Sequence, residues 1–404
     1  MPRYYIVCAL YLIVAIFGGG VLAVSAAPSV SLWTQSSSNS ALLAAIEQFA
    51  QETGVEVDVR GIDWTTDAVF VAVAGGASPD TFTHGSAALG AFVGSGILMP
   101  LDQVVNQWSF MKDMIPQIRD WNSYEGKLYA LPWNGVVMRD LVYREDLWEE
   151  SGVNPAQPPQ GWRDLANVGK KLVRFSPEGN MTRSAVYLAK TGFGAQQAFL
   201  AFQVQSGGSM FKDGKPMMND QPTIDALQFY VDMFYEYRLE DYSFNGNVLQ
   251  GTATAAWDNI SLMGRAEDMG VRTGVTTFPY RSRPASFAAA DWIGVPQATK
   301  NRDYAIKLLQ FIIRPETQKV MNEVAGGTIP AYRQALRWEW VKKNPAIDHF
   351  VNALEYGVPN PAHPLWFELR TVLVKSTEQA LRREAPVTSV LGELQRQMDQ
   401  IVFQ

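Results

Sequence analysis

The opening of this chain constrains its fold more than any other stretch. An apolar run from Ile6 to Val24 follows Arg3 and ends in the small residues Val24-Ser25-Ala26-Ala27. Directly behind it come Val30-Ser31-Leu32-Trp33-Thr34, an amphipathic segment, and Thr53-Gly54-Val55-Glu56-Val57-Asp58-Val59. One early positive charge, an apolar middle and a small-residue end form a secretory signal pattern. Cleavage is expected after Ala26 or Ala27, which makes 1–26 a signal peptide. An uncleaved anchor is the alternative, because the run approaches the roughly 20 residues that span a bilayer. Gly18-Gly19-Gly20 weakens such a helix. Behind the leader, the order strand, helix, strand calls for a parallel sheet. The chain is therefore expected in the periplasm or another extracytoplasmic space, where no nucleotide cofactor is at hand.

Composition narrows the chemistry. Cys8 is the only cysteine, and it stands near the start of the leader, far from where a lipid-bearing cysteine would lie. The chain without its leader has no disulfide, no thiol nucleophile and no cysteine for zinc. About 378 of the 404 residues remain, enough for two domains or one very large one. The net charge of −6 is mild and no basic run occurs, so no nucleic-acid partner is expected. His84, His349 and His363 form no His-Glu-x-x-His arrangement, and no Gly-x-Ser-x-Gly elbow is present. Gly246-Asn247-Val248-Leu249-Gln250-Gly251-Thr252 imitates a phosphate loop without its lysine, and Gly192-Phe193-Gly194 lacks the third glycine of a dinucleotide fingerprint. Neighbouring carboxylates such as Glu149-Glu150 and Glu240-Asp241 diverge, whereas glycoside cleavage needs two that face each other about 5–10 Å apart. No enzyme activity, metal or cofactor is expected. An exported enzyme with carboxylates distant in sequence stays open as an alternative, as does a membrane-anchored sensor.

Periodicity places the elements. Val30 and Leu32 alternate with polar neighbours, Gln35-Ser36-Ser37-Ser38-Asn39 is a polar loop, and Leu42, Leu43, Ile46 and Phe49 recur at helical spacing before Gly54. Val55, Val57 and Val59 alternate again. A helix is predicted over 66–74, a turn at Gly75–Asp80 and a third strand from Thr81. Val136 to Tyr143 is long and extended, enough to pass from one lobe to another. Helices are predicted over 162–173, 195–205, 221–237, 303–313 and 315–324, and strands over 185–188, 253–256 and 271–278. Helices dominate from Tyr332 onward.

Several stretches together resemble the family 1 extracellular solute-binding proteins, the sugar-type receptors of bacterial ATP-binding-cassette importers. They are Leu32-Trp33-Thr34, Thr53-Gly54-Val55-Glu56-Val57, Gly76-Ala77-Ser78-Pro79-Asp80, Ser95-Gly96-Ile97-Leu98-Met99-Pro100-Leu101 and Gly126-Lys127-Leu128-Tyr129-Ala130-Leu131-Pro132. Val142 to Leu147, Ser206-Gly207-Gly208, Gly251 to Ala256, Trp292-Ile293-Gly294-Val295-Pro296 and Ile329-Pro330-Ala331 follow in order. The resemblance implies an α/β, two-lobed periplasmic-binding-protein fold. Each lobe would be a parallel-dominated sheet flanked by helices, and the discontinuous lobes would be joined by a hinge. Lobe one would take 28–136 plus 287–335, and lobe two 137–286 plus 336–404. A monomer is implied that closes on a sugar or polyol and then docks on a membrane permease.

Sugars present apolar faces and a rim of hydroxyls, so a site needs aromatic platforms and in-plane polar groups. Loops at the carboxyl ends of parallel strands are the expected place. That selects Trp33 with Gln35, Ser36 and Ser37, His84 with Ser86, Trp133 with Asn134, Trp257 with Asp258, Asp291 with Trp292, and Trp366 closing one side. Trp257 and Asp258 are the favoured pair, a ring beside a carboxylate. Trp64, Trp108, Trp121, Trp148 and Trp162 are assigned to packing, and Asp80 to a backbone turn. Family members that take maltodextrins carry an acid and an arginine just after the third strand; Ala87-Ala88 stands there here, which sets maltose apart from other sugars and polyols.

Overall fold

The computed structural model describes residues 27–65, 67–325 and 328–403, so the expected leader lies outside the described residues. Strand β1 (Ser29–Thr34) lies between β2 (Glu56–Gly61) and β3 (Thr81–His84), parallel to both. Helix α1 (Ser40–Thr53) returns the chain from β1 to β2. It begins where Asn39 Oδ1 accepts the Leu42 N–H and ends where Gly54 turns to φ 70°, a left-handed conformation that glycine adopts without strain. Its Leu42, Ile46 and Phe49 face the sheet and are buried. Helix α2 (Asp67–Ala74) leads to β3. Asp80, at the head of β3, accepts hydrogen bonds from the Ser31 N–H (2.9 Å), Thr299 Oγ1 (2.6 Å) and Asn301 Nδ2 (3.2 Å). It ties three distant segments together rather than closing its own turn.

Two long strands carry the chain between lobes. β4 (Ala130–Met138) leaves the first sheet and continues into β5 (Asp140–Arg144), the centre of a second sheet. There β6 (Ala255–Asp258) and β7 (Thr273–Thr276) flank β5, both antiparallel to it. The return strand β8 (Ser286–Gly294) runs antiparallel to β4 along one edge. Its other edge takes β3 at the top (Trp292↔His84) and the short parallel strand β9 (Gly357–Val358) at the foot (Ser286↔Gly357). The β4–β8 register shifts between Ala290 and Trp292, so that Asp291 alone stands opposite residues 133–135 and the extra residues of the irregularity lie on β4.

The two-lobed α/β architecture is as expected, with one correction. Lobe two is not built on parallel strands: β5, β6 and β7 pair antiparallel, and among the described residues of 137–286 the parallel pairs are bridges at Gly161↔Tyr280, Ser184↔Ala253 and Tyr187↔Ala256. Direction explains this. β5 runs away from the hinge, while β6 and β7 both run back toward it. The strand predicted over 253–256 is found two residues further along, at Ala255–Asp258.

Helices α3 (Gly192–Gln205) and α4 (Gln221–Tyr235) cover the second sheet and, with the C-terminal pair α9 (Trp366–Leu381) and α10 (Val387–Phe403), enclose a core containing Phe199, Phe202, Tyr230 and Leu369. Of the helices between, α5 is Ile260–Asp268, α6 is Arg302–Ile313, α7 is Pro315–Ala325 and α8 is Pro345–Ala353. α6 buries Leu308, Leu309 and Ile312 in the same core as Val30 and Leu42. Near the hinge, α8 adds Ile347 and Phe350 to that core. Burying a chain of such side chains, each about 1.5–3 kcal/mol, is what sets the positions of the loops between them.

Candidate functional site

The carboxyl ends of β1, β2 and β3 meet β8 at Asp291, where its ladder with β4 is broken. The Thr83 hydroxyl reaches Thr34 Oγ1 (2.7 Å) and Gln35 Oε1 (3.0 Å), which pins Gln35 at the top of the sheet and leaves its Nε2 buried without a partner. Ser36 and Ser37 follow in a half-buried turn, with the Ser36 N–H donated to Thr34 Oγ1 (3.1 Å). Trp64, just beyond β2, is 59 % exposed. Its ring lies above Gly85 and stands edge-on to the His84 imidazole, 6.3 Å between centroids. Asp291 flanks Gly85 on the other side: a Cβ placed there would lie 3.4 Å from the Trp64 ring and 3.6 Å from Asp291 Oδ1. Alternation along β8 turns Asp291 away from buried Ala290 and Trp292 and into this corner.

Burial tunes the charges here. The Asp291 carboxyl is pushed up to about 6 by burial, against the pull of a hydrogen bond from the Ser86 N–H. His84 Nδ1 accepts the Gly85 N–H (2.9 Å). Its imidazole is driven down to about 4, chiefly by burial and further by the nearby Arg370 cation. The ring is therefore neutral at pH 7 and serves as floor, stacked on Trp292 and against Phe92.

The second lobe supplies the facing wall. Phe193, at the start of α3, is 55 % exposed. The Arg370 guanidinium of α9 lies 4.0 Å from its ring centroid and 4.9 Å from that of Phe367. Burial lowers the Arg370 pKa. The approach to α9 runs close along lobe one: a Cβ on Gly90 would lie 2.3 Å from the His363 carbonyl oxygen. Asn360 Nδ2 donates to Ser86 Oγ (3.1 Å), closing the ring of groups.

The tryptophan platforms are a correction. Trp33, Trp133, Trp257, Trp292 and Trp366 are between 0 and 8 % exposed, all within the cores. Trp33 packs beside Phe82 with the Arg60 guanidinium over its ring (4.3 Å). Trp133 and Asn134 belong to the seam with α7, whose Gln318 and Asn322 amides donate to their carbonyls (2.5 and 2.7 Å). Trp257 donates Nε1 to Ser286 Oγ (2.8 Å) under the Arg139 guanidinium. Its partner Asp258 cannot share a ligand face with it, because neighbours on a strand point to opposite sides. Asp258 instead lines a cavity of about 370 Å³ with Tyr187, Asn247 and Arg265. The structure thus brings together Gln35, His84, Ser86 and Asp291, with Ser36 and Ser37 on the neighbouring turn. It does not bring in the five indoles, Asn134 or Asp258.

Sequence reasoning missed Trp64, Phe193 and Arg370. Trp64 stands just beyond the carboxyl end of β2, so the rule that selected Gln35 and His84 selects it too. Arg370 follows Trp366 by one helical turn and had no comparable signal.

A two-lobed frame with a polar and aromatic corner between the lobes accords with one family. Residues 44–349 match the family described as bacterial extracellular solute-binding protein. The chain belongs to that family. A maltotriose-binding protein of Pyrococcus abyssi is 24 % identical over 74 % of this chain and 64 % of its own length. A mannitol-binding protein of Pseudomonas aeruginosa is 24 % identical over 56 % of this chain and 54 % of its own. This solute-binding protein therefore aligns with somewhat more than half the length of those relatives. Among solved structures, the sugar-binding protein MalE of Xanthomonas citri superposes with a TM-score of 0.80 at 20 % identity, covering 93 % of this chain and 97 % of that one. A Thermotoga lettingae solute-binding protein bound with α-D-tagatose gives 0.79 at 19 % identity, covering 93 % and 100 %.

Proposed function

We propose that this protein is an exported receptor that binds a sugar or polyol between its lobes, closes about the hinge and delivers the solute to a membrane ATP-binding-cassette permease. The observation that carries the reading is the corner of Trp64 and Asp291 about Gly85, with Ser86 tied to Asn360 and with Arg370, set over the Phe193 ring, near enough to His84 to act on its charge. Two aromatic faces suit the apolar side of a sugar ring, while a carboxylate and a guanidinium suit its hydroxyls in plane. The acid and arginine absent at Ala87-Ala88 are supplied from other elements, by Asp291 and Arg370. We place the lobes at 28–136 plus 287–335 and at 137–286 plus 336–404, with β4 and β8 as the crossings. The relatives' names support the solute class: maltotriose for one, mannitol for another.

Closure follows from differential contact. Ligand held by lobe one gains the Phe193 and Arg370 contacts only when the lobes approach, and the shift toward the closed form is limited to that gain. A micromolar receptor needs about −8 kcal/mol in total. The test is calorimetry against maltotriose, mannitol, tagatose and sn-glycerol-3-phosphate, with recovery of the ligand afterwards. Binding with unaltered ligand, weakened in Trp64→Ala, is expected. Turnover of the ligand, or binding indifferent to Trp64 and Arg370, would overturn the proposal.

A further inference from the structure

Asp140 is fully buried where β4 gives way to β5. Its carboxylate gathers donors from three segments that are far apart in sequence. Oδ1 accepts the Phe278 N–H (2.5 Å), on the run from β7 to β8. Oδ2 accepts the Tyr356 hydroxyl (2.7 Å), just before β9, and pairs with His349 Nε2 of α8 (2.8 Å). Around this carboxylate the same segments are cross-tied. The Arg139 N–H donates to the Phe287 carbonyl (3.0 Å), Ser286 Oγ donates to the Arg139 carbonyl, and Tyr356 and Thr277 hydroxyls meet at 3.0 Å. Gly357 is packed so closely that an added Cβ would stand 2.7 Å from the Trp121 ring. None of these groups lies in the ligand corner.

A few residues further along the crossing strands the ladder is broken. Pairing of β4 with β8 is regular from 136↔290 to 138↔288 and again from 130↔294 to 132↔292, but not between. Gly135 lies in that gap at φ 93°, and Asp291 alone stands opposite residues 133–135. The hinge region therefore has a cross-tied foot and an irregular middle.

We infer that Asp140 is a positioning residue that clamps the three inter-lobe segments at the foot of the hinge, so that lobe rotation is confined to the 133–135 and 291 gap and the open–closed balance is set there. A buried carboxylate accepting three hydrogen bonds, at least one from an uncharged main-chain donor, holds its partners more firmly than neutral pairs would. Removing its charge frees the β7–β8 and α8–β9 segments to shift independently. The inference rests on the receptor reading only for the existence of a closing motion.

The test is run without ligand, so that it stands or falls apart from the solute question. Spin labels on Gln51→Cys and Lys171→Cys, both exposed and one in each lobe, report the interlobe distance; the sequence outside the leader has no cysteine of its own. Asp140→Asn is expected to broaden the distance distribution and change the open-to-closed ratio by about tenfold or more. Tyr356→Phe, which keeps the carboxylate and removes one donor, should move it in the same direction by less. Asp80→Asn, another buried carboxylate remote from the hinge, should leave it unchanged. An unaltered distribution in folded Asp140→Asn overturns the inference. If that variant does not fold, an unaltered distribution in Tyr356→Phe does so.

Discussion

Replacing Asp291 by Asn should stabilise the empty protein while crippling its binding. Burial raises this carboxyl from 3.8 to about 6. About two units at 1.36 kcal/mol each make the ionised form unfavourable in the fold by at most about 3 kcal/mol at pH 7. The sign follows from linkage. The folded state holds this proton more tightly than the unfolded chain, so the group favours folding below about pH 4, loses that contribution as pH rises from about 4 to about 6, and costs a constant amount above. Asparagine keeps the shape and removes the charge. In differential scanning at pH 7 the variant should melt about 4 °C higher, taking about 2.1 cal/mol/K per residue for the unfolding entropy. Measured against the neutral asparagine, the aspartate therefore contributes no difference below about pH 4, where it is protonated in both states, and its whole cost develops between about pH 4 and about pH 6, so the two proteins should converge near pH 4. Ligand affinity should move the opposite way, because a hydrogen bond to a charged acceptor is worth about 1.5–3 kcal/mol, roughly ten- to a hundredfold in affinity. A lower melting temperature at pH 7, or an offset equal at pH 4 and pH 7, would refute the reasoning about burial. Unchanged affinity would remove Asp291 from the site.

Four other outcomes are expected. Trp64→Ala should change stability by about 0.5 kcal/mol or less, because the side chain is exposed, yet weaken binding by about 2 kcal/mol, roughly thirtyfold; calorimetry and chemical denaturation read the two. Trp257→Ala should do the reverse in kind, costing about 3–5 kcal/mol of stability through the cavity it leaves, as measured by denaturant melts. Arg370→Met should weaken binding and let the His84 pKa rise from about 4, visible in an NMR titration of its ring protons, since the Arg370 cation contributes to holding it down. Asp80, whose carboxyl lies below the usual range through bonds from Thr299, Ser31 and Asn301 that outweigh its burial, contributes stability present above about pH 4 and lost as pH falls further; Asp80→Asn should flatten that acid limb.

Much of the site's position was legible in the sequence, and much of its composition was not. The loops after β1 and β3, and the return crossing at Asp291, followed from the rule that ligands gather at the carboxyl ends of strands. The identity of the aromatic faces did not follow. Tryptophan content marks both cores and platforms, and only its place beyond the carboxyl end of β2 sets Trp64, at 59 % exposure, apart from Trp292 at 0 %. The pairing of Trp257 with Asp258 failed on alternation along a strand, which adjacency in sequence conceals.

Read by itself, the amino-acid order settled most of the succession of strands and helices, among them β1, α1 with its Gly54 exit, and β2, while the strand predicted over 185–188 is only bridged at Ser184 and Tyr187. Those properties depend on neighbours within a turn or a strand length, where hydrophobic spacing and glycine or asparagine stops act directly. Tertiary structure decided the direction of pairing in lobe two, the break in the β4–β8 ladder opposite Asp291, and the approach of Arg370 to Phe193 and His84. Those depend on how separately formed layers settle against one another, a balance of packing across the whole core that no local pattern of residues encodes.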